Sequence, residues 1–229
     1  MNRPFVMTLA AGRERSVLRR HPWIFSGSVR NMWGEPETGE TVVVRSADGT
    51  GLGSAAWSPA SRIRARMWTW DADVVVDHAF LKRRLDAAVD RRNSMAGTAE
   101  SNACRLVSSE ADGLPGLIVD RYDTVLVCQF LSAGAEFWRE HFLDMLQERF
   151  PDALLYERSD SDAREKEGLP ARCGVCRTEE PPELLHISEH GLRFPVDVRR
   201  GHKTGFYLCL LYTSPSPRDR TRSRMPSSA

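Results

Sequence analysis

Arg62-Ile63-Arg64-Ala65-Arg66-Met67, followed by Trp68, alternates charged and apolar side chains. A period of two belongs to a β-strand, so Arg62, Arg64 and Arg66 share one face while Ile63, Ala65 and Met67 share the other. Upstream, Thr41-Val42-Val43-Val44 is a β-branched run suited to a pleated surface, and Asp48-Gly49 followed by Gly51 and Gly53 is a turn signal. Gly49-Thr50-Gly51-Leu52-Gly53 could cradle a phosphate only if a helix followed it. No helical period does, so the stretch reads as a hairpin. Short strands joined by regular turns across residues 1–75 predict a small β-barrel.

Beyond residue 75 the period changes. Asp77 is positioned to cap a helix in which Leu81, Leu85, Ala88 and Val89 fall on one face. Strands are predicted at 117–119, 125–127 and 154–156, and a hairpin at 185–187 and 192–196 turning at His190-Gly191. A second helix over 135–149 directs Trp138, Phe142, Met145 and Leu146 inward and is bounded by Pro151. Residues 76–198 thus read as an α+β domain of paired strands around a helix. The Ser/Pro/Arg stretch at 213–224 has no hydrophobic period and cannot bury a core.

The 229 residues are 41% hydrophobic and 28% charged, enough for one large domain or two small ones. No apolar run approaches the ~20 residues a membrane span requires, and no cleavable leader is evident. Five cysteines, an odd number without an export signal, predict reduced thiols in a cytoplasm. The net charge of +1 conceals an asymmetry: residues 1–75 carry ten Arg against seven acidic residues, whereas residues 76–198 carry a net of −8. A polyanion therefore prefers the barrel.

Arg19, Arg20 and His21 precede Trp23 and Phe25, and with Arg62, Arg64 and Arg66 they are candidates to contact RNA. Guanidinium forks suit phosphate, and aromatic rings suit unstacked bases. Trp23 and Phe25 themselves are expected in the core. Cys173-Gly174-Val175-Cys176 with His186 and His190 has a metal-ligand-like pattern. The gap between the pairs is short and a strand replaces the helix such a motif uses, so no metal is expected. Asp160, Asp162, Glu165 and Glu167 read as a solvated acidic loop, and Cys104 and Cys128 as small core residues.

Ser16-Val17-Leu18-Arg19-Arg20-His21-Pro22-Trp23-Ile24-Phe25-Ser26-Gly27 resembles the opening of the PUA domain in bacterial large-subunit rRNA cytosine-carbon-5 methyltransferases. Ser58-Pro59-Ala60-Ser61 with Ile63-Arg64-Ala65-Arg66 is similar to that domain's later strands. Asp112-Gly113-Leu114-Pro115-Gly116-Leu117, Leu131-Ser132-Ala133-Gly134-Ala135-Glu136, Glu157-Arg158-Ser159-Asp160 and Glu167-Gly168-Leu169 are similar to the central domain. Gly201-His202-Lys203-Thr204-Gly205-Phe206-Tyr207-Leu208 is similar to the start of the methyltransferase domain. The resemblance implies a PUA-type RNA-binding barrel at 1–75 and a central strand-strand-helix-strand-strand domain at 76–198. It implies the beginning of a Rossmann-type domain at 199–208, S-adenosylmethionine as cofactor, and carbon 5 of a cytosine in 23S rRNA as the methylated atom.

That chemistry adds a cysteine thiolate to carbon 6, making carbon 5 nucleophilic, beside a glycine-rich cofactor turn. Neither a catalytic cysteine nor an Asp-Pro-Pro motif is legible. After Leu208 the resemblance stops, and residues 209–229 read as a non-native, disordered tail. The expectation is therefore a chain whose methyltransferase domain is missing, which keeps RNA binding only and binds no cofactor. His202, Lys203, Thr204, Phe206 and Tyr207 would begin the wall near cofactor and base, without ordered support. A stand-alone RNA-binding adaptor is the alternative. A PUA-containing pseudouridine synthase would need a catalytic Asp that no motif here supplies.

Overall fold

The computed structural model describes residues 4–95, 101–177, 179–189, 191–206 and 208. The first unit comprises β1 (Val6–Leu9), α1 (Arg15–Leu18), β2 (Trp23–Phe25), β3 (Val29–Trp33), β4 (Thr41–Arg45), β5 (Gly51–Trp57) and β6 (Ile63–Thr69). Their order in the sheet is β2-β6-β5-β4-β1-β3, antiparallel except between β1 and β4. The two edge strands, β2 and β3, are consecutive in the chain and separated only by the 3-10 turn Ser26–Ser28. Three residues reach no more than roughly 10 Å, so the ends of the sheet lie together and the sheet rolls into the expected barrel. Its core is Met7, Leu9, Val17, Ile24, Val42, Val44, Leu52, Ala55, Ala65 and Met67.

On β6 the alternation holds through Ala65 and Met67, which are buried while Arg64 and Arg66 point outward. It breaks at Trp68, which is 1% exposed on the arginine face. Trp68 and Ala56 pack into the neighbouring domain's core, so this part of the barrel wall is buried on both sides.

The second unit begins with α2 (His78–Met95), where the Phe80 amide donates to Asp77 Oδ1 at 2.8 Å, and Leu81, Leu85, Ala88 and Val89 face inward as predicted. Then follow β7 (Ala103–Ser108), β8 (Leu117–Tyr122), β9 (Val125–Phe130), α3 (Ala133–Phe137), α4 (Arg139–Arg149), β10 (Leu154–Ser159), α5 (Asp162–Lys166), β11 (Arg172–Val175), β12 (Leu185–Glu189) and β13 (Leu192–Val196). The helix expected over 135–149 is broken at Trp138, whose backbone (φ −93, ψ 9) leaves helical geometry between α3 and α4.

Five strands form one mixed sheet, β11-β10-β9-β8-β7, in which β9 and β10 run parallel. The chain passes between those two through α3 and α4, a β-α-β crossover. This corrects the predicted fold class. The domain is not merely paired strands around a helix, and the chain is not devoid of Rossmann-type architecture, since a parallel β-α-β crossover is the unit of such sheets. Local sequence gave β9 and β10 as strands but carried no signal of which neighbour each would choose. The edge strands β7 and β11 also escaped the apolar pattern.

Both faces of the sheet are covered. Leu126, Cys128 and Phe130 meet Leu81, Leu85, Phe142 and Leu146 of the helices. Val125 and Val127 meet Leu185, Ile187 and Val196 of the predicted β12–β13 hairpin. Two-sided burial explains why Val125-Leu126-Val127-Cys128 is a continuous apolar run rather than an alternating one. His190, at the predicted hairpin turn, lies outside the described residues, as do Tyr207 and residues 209–229. Among the described residues no helix is long and apolar enough to cross a membrane.

Candidate nucleic-acid interface

Strand β2 and the residues before it present His21, Trp23 and Phe25 at two-residue spacing, while Ile24 between them is 1% exposed in the barrel core. The three rings cluster around one another: His21 to Trp23 at 5.9 Å between centroids, Trp23 to Phe25 at 6.4 Å, and His21 to Phe25 at 6.4 Å. Phe25 is 48% exposed, His21 is exposed and Trp23 half-buried. The expectation that Trp23 and Phe25 are core residues is corrected: β2 is a three-residue edge strand, and Arg66, 5.3 Å over the Trp23 ring, is what partly covers its outer face.

Arg19 and Arg20 are exposed on the turn before β2, and Arg62 is exposed at the start of β6. Arg20 adopts a left-handed backbone (φ 62) that carries its guanidinium to 5.8 Å over Trp70. Arg64 donates to the Pro59 carbonyl and lies 5.5 Å over Trp57. Arg19 and Arg20 thus lie just before the aromatic cluster in the chain and Arg62 next to β2 across the sheet, with Arg64 two residues further along β6.

Arg66 is differently employed. Its Nη1 meets Glu110 Oε1 and its Nη2 meets Glu167 Oε1, each at 3.0 Å. Trp23 Nε1 donates to the same Glu110 oxygen at 2.8 Å. Burial works to raise the Glu110 pKa, but hydrogen bonds from Ser109 and Trp23 and the Arg66 charge outweigh it, holding the carboxyl below its usual value. Glu167 Oε2 accepts from the Ala133 amide at 3.2 Å, at the first turn of α3. One guanidinium therefore ties the barrel to the 3-10 turn Ser109–Asp112 and, through Glu167, to the first turn of α3. Glu167 is 2% exposed, which corrects its reading as part of a solvated loop. Beside this clamp opens a cleft of ≈ 720 Å³ between the two domains, with Trp23, Arg62, Ile63, Ser109, Leu131 and Lys166 on its walls. A volume of that order admits a nucleotide-sized group.

The residues that the resemblance places near a cofactor lie at the far end of the sheet. Thr204 is 1% exposed, and its hydroxyl donates to Asp120 Oδ2 at 2.6 Å and meets the Tyr122 hydroxyl at 2.9 Å. Asp120 also accepts from Arg105 Nε at 2.8 Å and Nη2 at 3.0 Å. Arg158 Nη1 donates to the carbonyls of Val198 and Gly201. Residues 198–206 are thus held by buried polar partners, contrary to the expected lack of support. Burial and the adjacent Asp120 charge push the Tyr122 hydroxyl up to about 12. His202 and Lys203 are exposed.

Two places that could cradle a methyl donor are engaged by the chain's own contacts. The Thr204 hydroxyl donates to Asp120, and at the turn from β9 into α3 the Ala133 amide donates to Glu167 and the Ala135 amide to Ser132 Oγ, each at 3.2 Å. Burial raises the thiol pKa of Cys128 well above normal and that of Cys176 to about 11, and raises Cys104 and Cys173 as well. Burial thus disfavours the thiolate at each of the four, whereas carbon-6 attack uses a thiolate. Among the described residues no three His, Cys, Asp or Glu side chains gather as metal ligands.

Sequence reasoning missed Glu110, Lys166, Arg83 and Arg84. The first two approach Arg66 and Arg62 only through tertiary packing. Charge spacing along α2 would have drawn attention to the last two.

The profile of the PUA-like domain family matches residues 7–70. The chain is 50% identical over 200 residues to ribosomal RNA large subunit methyltransferase I of Shewanella amazonensis, covering 87% of this chain and 50% of that protein. It is 48% identical over 202 residues to the protein of the same name from Erwinia tasmaniensis, covering 88% and 51%. The chain spans about half the length of these relatives. Among solved structures, a putative SAM-dependent methyltransferase from Streptococcus mutans superposes with a TM-score of 0.74 at 17% identity, over 94% of this chain and 53% of its own. A putative methyltransferase complexed with SAH superposes with a TM-score of 0.75 at 17% identity, over 91% of this chain and 52% of its own.

These matches overturn two expectations. A chain with the methyltransferase part missing and RNA binding alone does not stand, because the mixed sheet as well as the barrel superposes on methyltransferases. The expectation that no cofactor binds this chain loses its support for the same reason, one of those structures holding SAH. The chain carries a PUA-like domain and is homologous to about half the length of ribosomal RNA large subunit methyltransferase I.

Proposed function

We propose that the chain serves in an S-adenosylmethionine-dependent methylation of carbon 5 of a cytosine in 23S rRNA, with its barrel as the RNA-binding element. The observation that carries this reading is the surface cluster of His21, Trp23 and Phe25, with exposed Arg19 and Arg20 just before it in the chain and exposed Arg62 beside Phe25 at the start of β6. Half-exposed aromatic rings beside unopposed guanidiniums are what unstacked bases and their phosphates require. Arg19, Arg20, His21, Arg62 and Arg64 contact RNA; Arg66 holds the second domain against that surface. Residues 1–75 form the grip and residues 76–198 the spacer. Residues 198–204 are pinned to the mixed sheet through Thr204 and Arg158.

The donor supplies the methyl group when bound; the described residues orient RNA toward it. Filter binding of a 23S rRNA transcript should weaken about 10-fold at 0.1 M salt when Arg19 and Arg62 are changed to Glu, with a shallower salt dependence. Incubation with undermethylated 23S rRNA and labelled S-adenosylmethionine, followed by nucleoside analysis, should place label in 5-methylcytidine. An unchanged affinity and salt slope would remove the RNA surface. Label in another nucleoside would remove the carbon-5 assignment.

A further inference from the structure

A second cleft, of ≈ 660 Å³, lies where the barrel meets α2, with Arg20, Trp70, Asp71, Phe80, Arg83 and Arg84 on its walls. Three guanidiniums from two domains converge there. Arg20 is held over Trp70 at 5.8 Å, and Arg84 over Phe80 at 5.2 Å. The Arg84 Nη1 is also 2.9 Å from the position a Cβ would occupy on Gly113, so a side chain at 113 would displace it. Two of the three cations are thus fixed by aromatic rings rather than by acids. Elsewhere in the second domain the pattern is opposite: Arg92 meets Asp112, Arg139 meets Glu157, and Arg164 meets Glu136. Neither Arg20, Arg83 nor Arg84 forms an ion pair with a described residue, and Asp71 is the acid among the cleft's walls. Three cations lining one cleft against a single acid, Asp71, repel one another, and an oxyanion in their midst reduces that cost.

We propose that this cleft is a phosphate-binding site for the RNA backbone, extending the RNA surface from the barrel onto α2 through Arg83 and Arg84. The proposal rests on the RNA-binding reading above. Its geometry favours a phosphodiester over a base, since the cations are forked donors and the rings are already covered by them. The site continues from Arg19 and His21, which share with Arg20 a shallow depression on the turn before β2. RNA engaged by the aromatic cluster would then deliver a flanking phosphate to the cleft.

The test uses the full chain and a 23S rRNA transcript. Phenylglyoxal modification of arginine, read peptide by peptide, should slow several-fold at Arg20, Arg83 and Arg84 when RNA is bound, and stay constant at Arg193 on the hairpin. In parallel, Arg83→Gln/Arg84→Gln should lower the slope of log K against log salt by roughly 1.4 for two single-strand phosphate contacts. Protection absent at Arg83 and Arg84 while Arg19 and Arg62 are protected would overturn this site and leave the barrel reading intact. No protection at any of them would sink both. Equal protection by inorganic pyrophosphate, with an unchanged salt slope for the double variant, would assign the cleft to a free phosphate compound and refute the RNA assignment.

Discussion

Replacing Arg66 with Met tests the clamp that sets the barrel against the second domain. Arg66 has 13% side-chain exposure, and it faces Glu167 at 2% and Glu110 at 24%. Methionine keeps most of the side-chain volume but leaves two carboxylates without their cation. Glu110 retains Trp23 and Ser109 as donors, whereas Glu167 retains only the long bond from Ala133. Glu167 therefore bears most of the loss. Breaking a buried pair from one side costs about 3–5 kcal/mol. For a chain of this length each kcal/mol moves the midpoint by about 2–4 °C, so a fall of about 6–20 °C is expected in thermal unfolding followed by circular dichroism. Adding Glu167→Gln removes the stranded charge and keeps an oxygen for the Ala133 amide. The double variant should regain about 1–3 kcal/mol relative to additivity. A fall below about 3 °C for Arg66→Met, or strictly additive effects, would refute the clamp and return Arg66 to the set of RNA-facing arginines.

Three further outcomes follow from the same contacts. Gly134→Val drives a side chain into Ala56 and Trp68, since even a Cβ there would stand 2.4 and 2.8 Å from their atoms; thermal unfolding should show a loss of about 1–3 kcal/mol and looser domain packing. Phe25→Ala should leave the unfolding midpoint within about 0.5 kcal/mol of the parent, because the ring is 48% exposed, yet weaken binding to the rRNA transcript about 5- to 150-fold by losing one stacked base. Tyr122, whose hydroxyl titrates near 12 folded against about 10 unfolded, retains its proton longer when folded. Its stabilising contribution is complete below pH 10 and is lost as pH rises toward 12, at up to about 1.4 kcal/mol per pH unit. Tyr122→Phe should flatten that alkaline slope in urea titrations, and an unaltered slope would show that the hydroxyl is not the group responsible.

The barrel was legible in the sequence because its information is local. Alternation in β6, the β-branched run of β4 and the Asp48-Gly49 turn each follow from rules spanning a few residues, and the inward face of α2 follows from a 3.6-residue period. The candidate RNA residues were legible for the same reason: arginines and rings at strand spacing declare a face, though not which way it looks. What alternation could not say is what covers the outward face. Trp68 is buried on the arginine side, Phe25 is exposed where a core ring was expected, and Arg66 is consumed by two carboxylates, Glu110 and Glu167, from distant parts of the chain.

Sheet pairing was likewise beyond local reading. β9 and β10 are apolar strands under any topology, and only the packing of α3 and α4 across the sheet makes them parallel neighbours. The cleft at α2 is the sharpest instance. Arg20 belongs to the barrel and Arg83 and Arg84 to a helix more than sixty residues later, and each alone is an ordinary surface cation. Sequence determined which segments could bury a face and which carried charge. Tertiary structure decided which charges met a partner, because Coulomb and hydrogen-bond energies depend on distances that no short window of sequence contains.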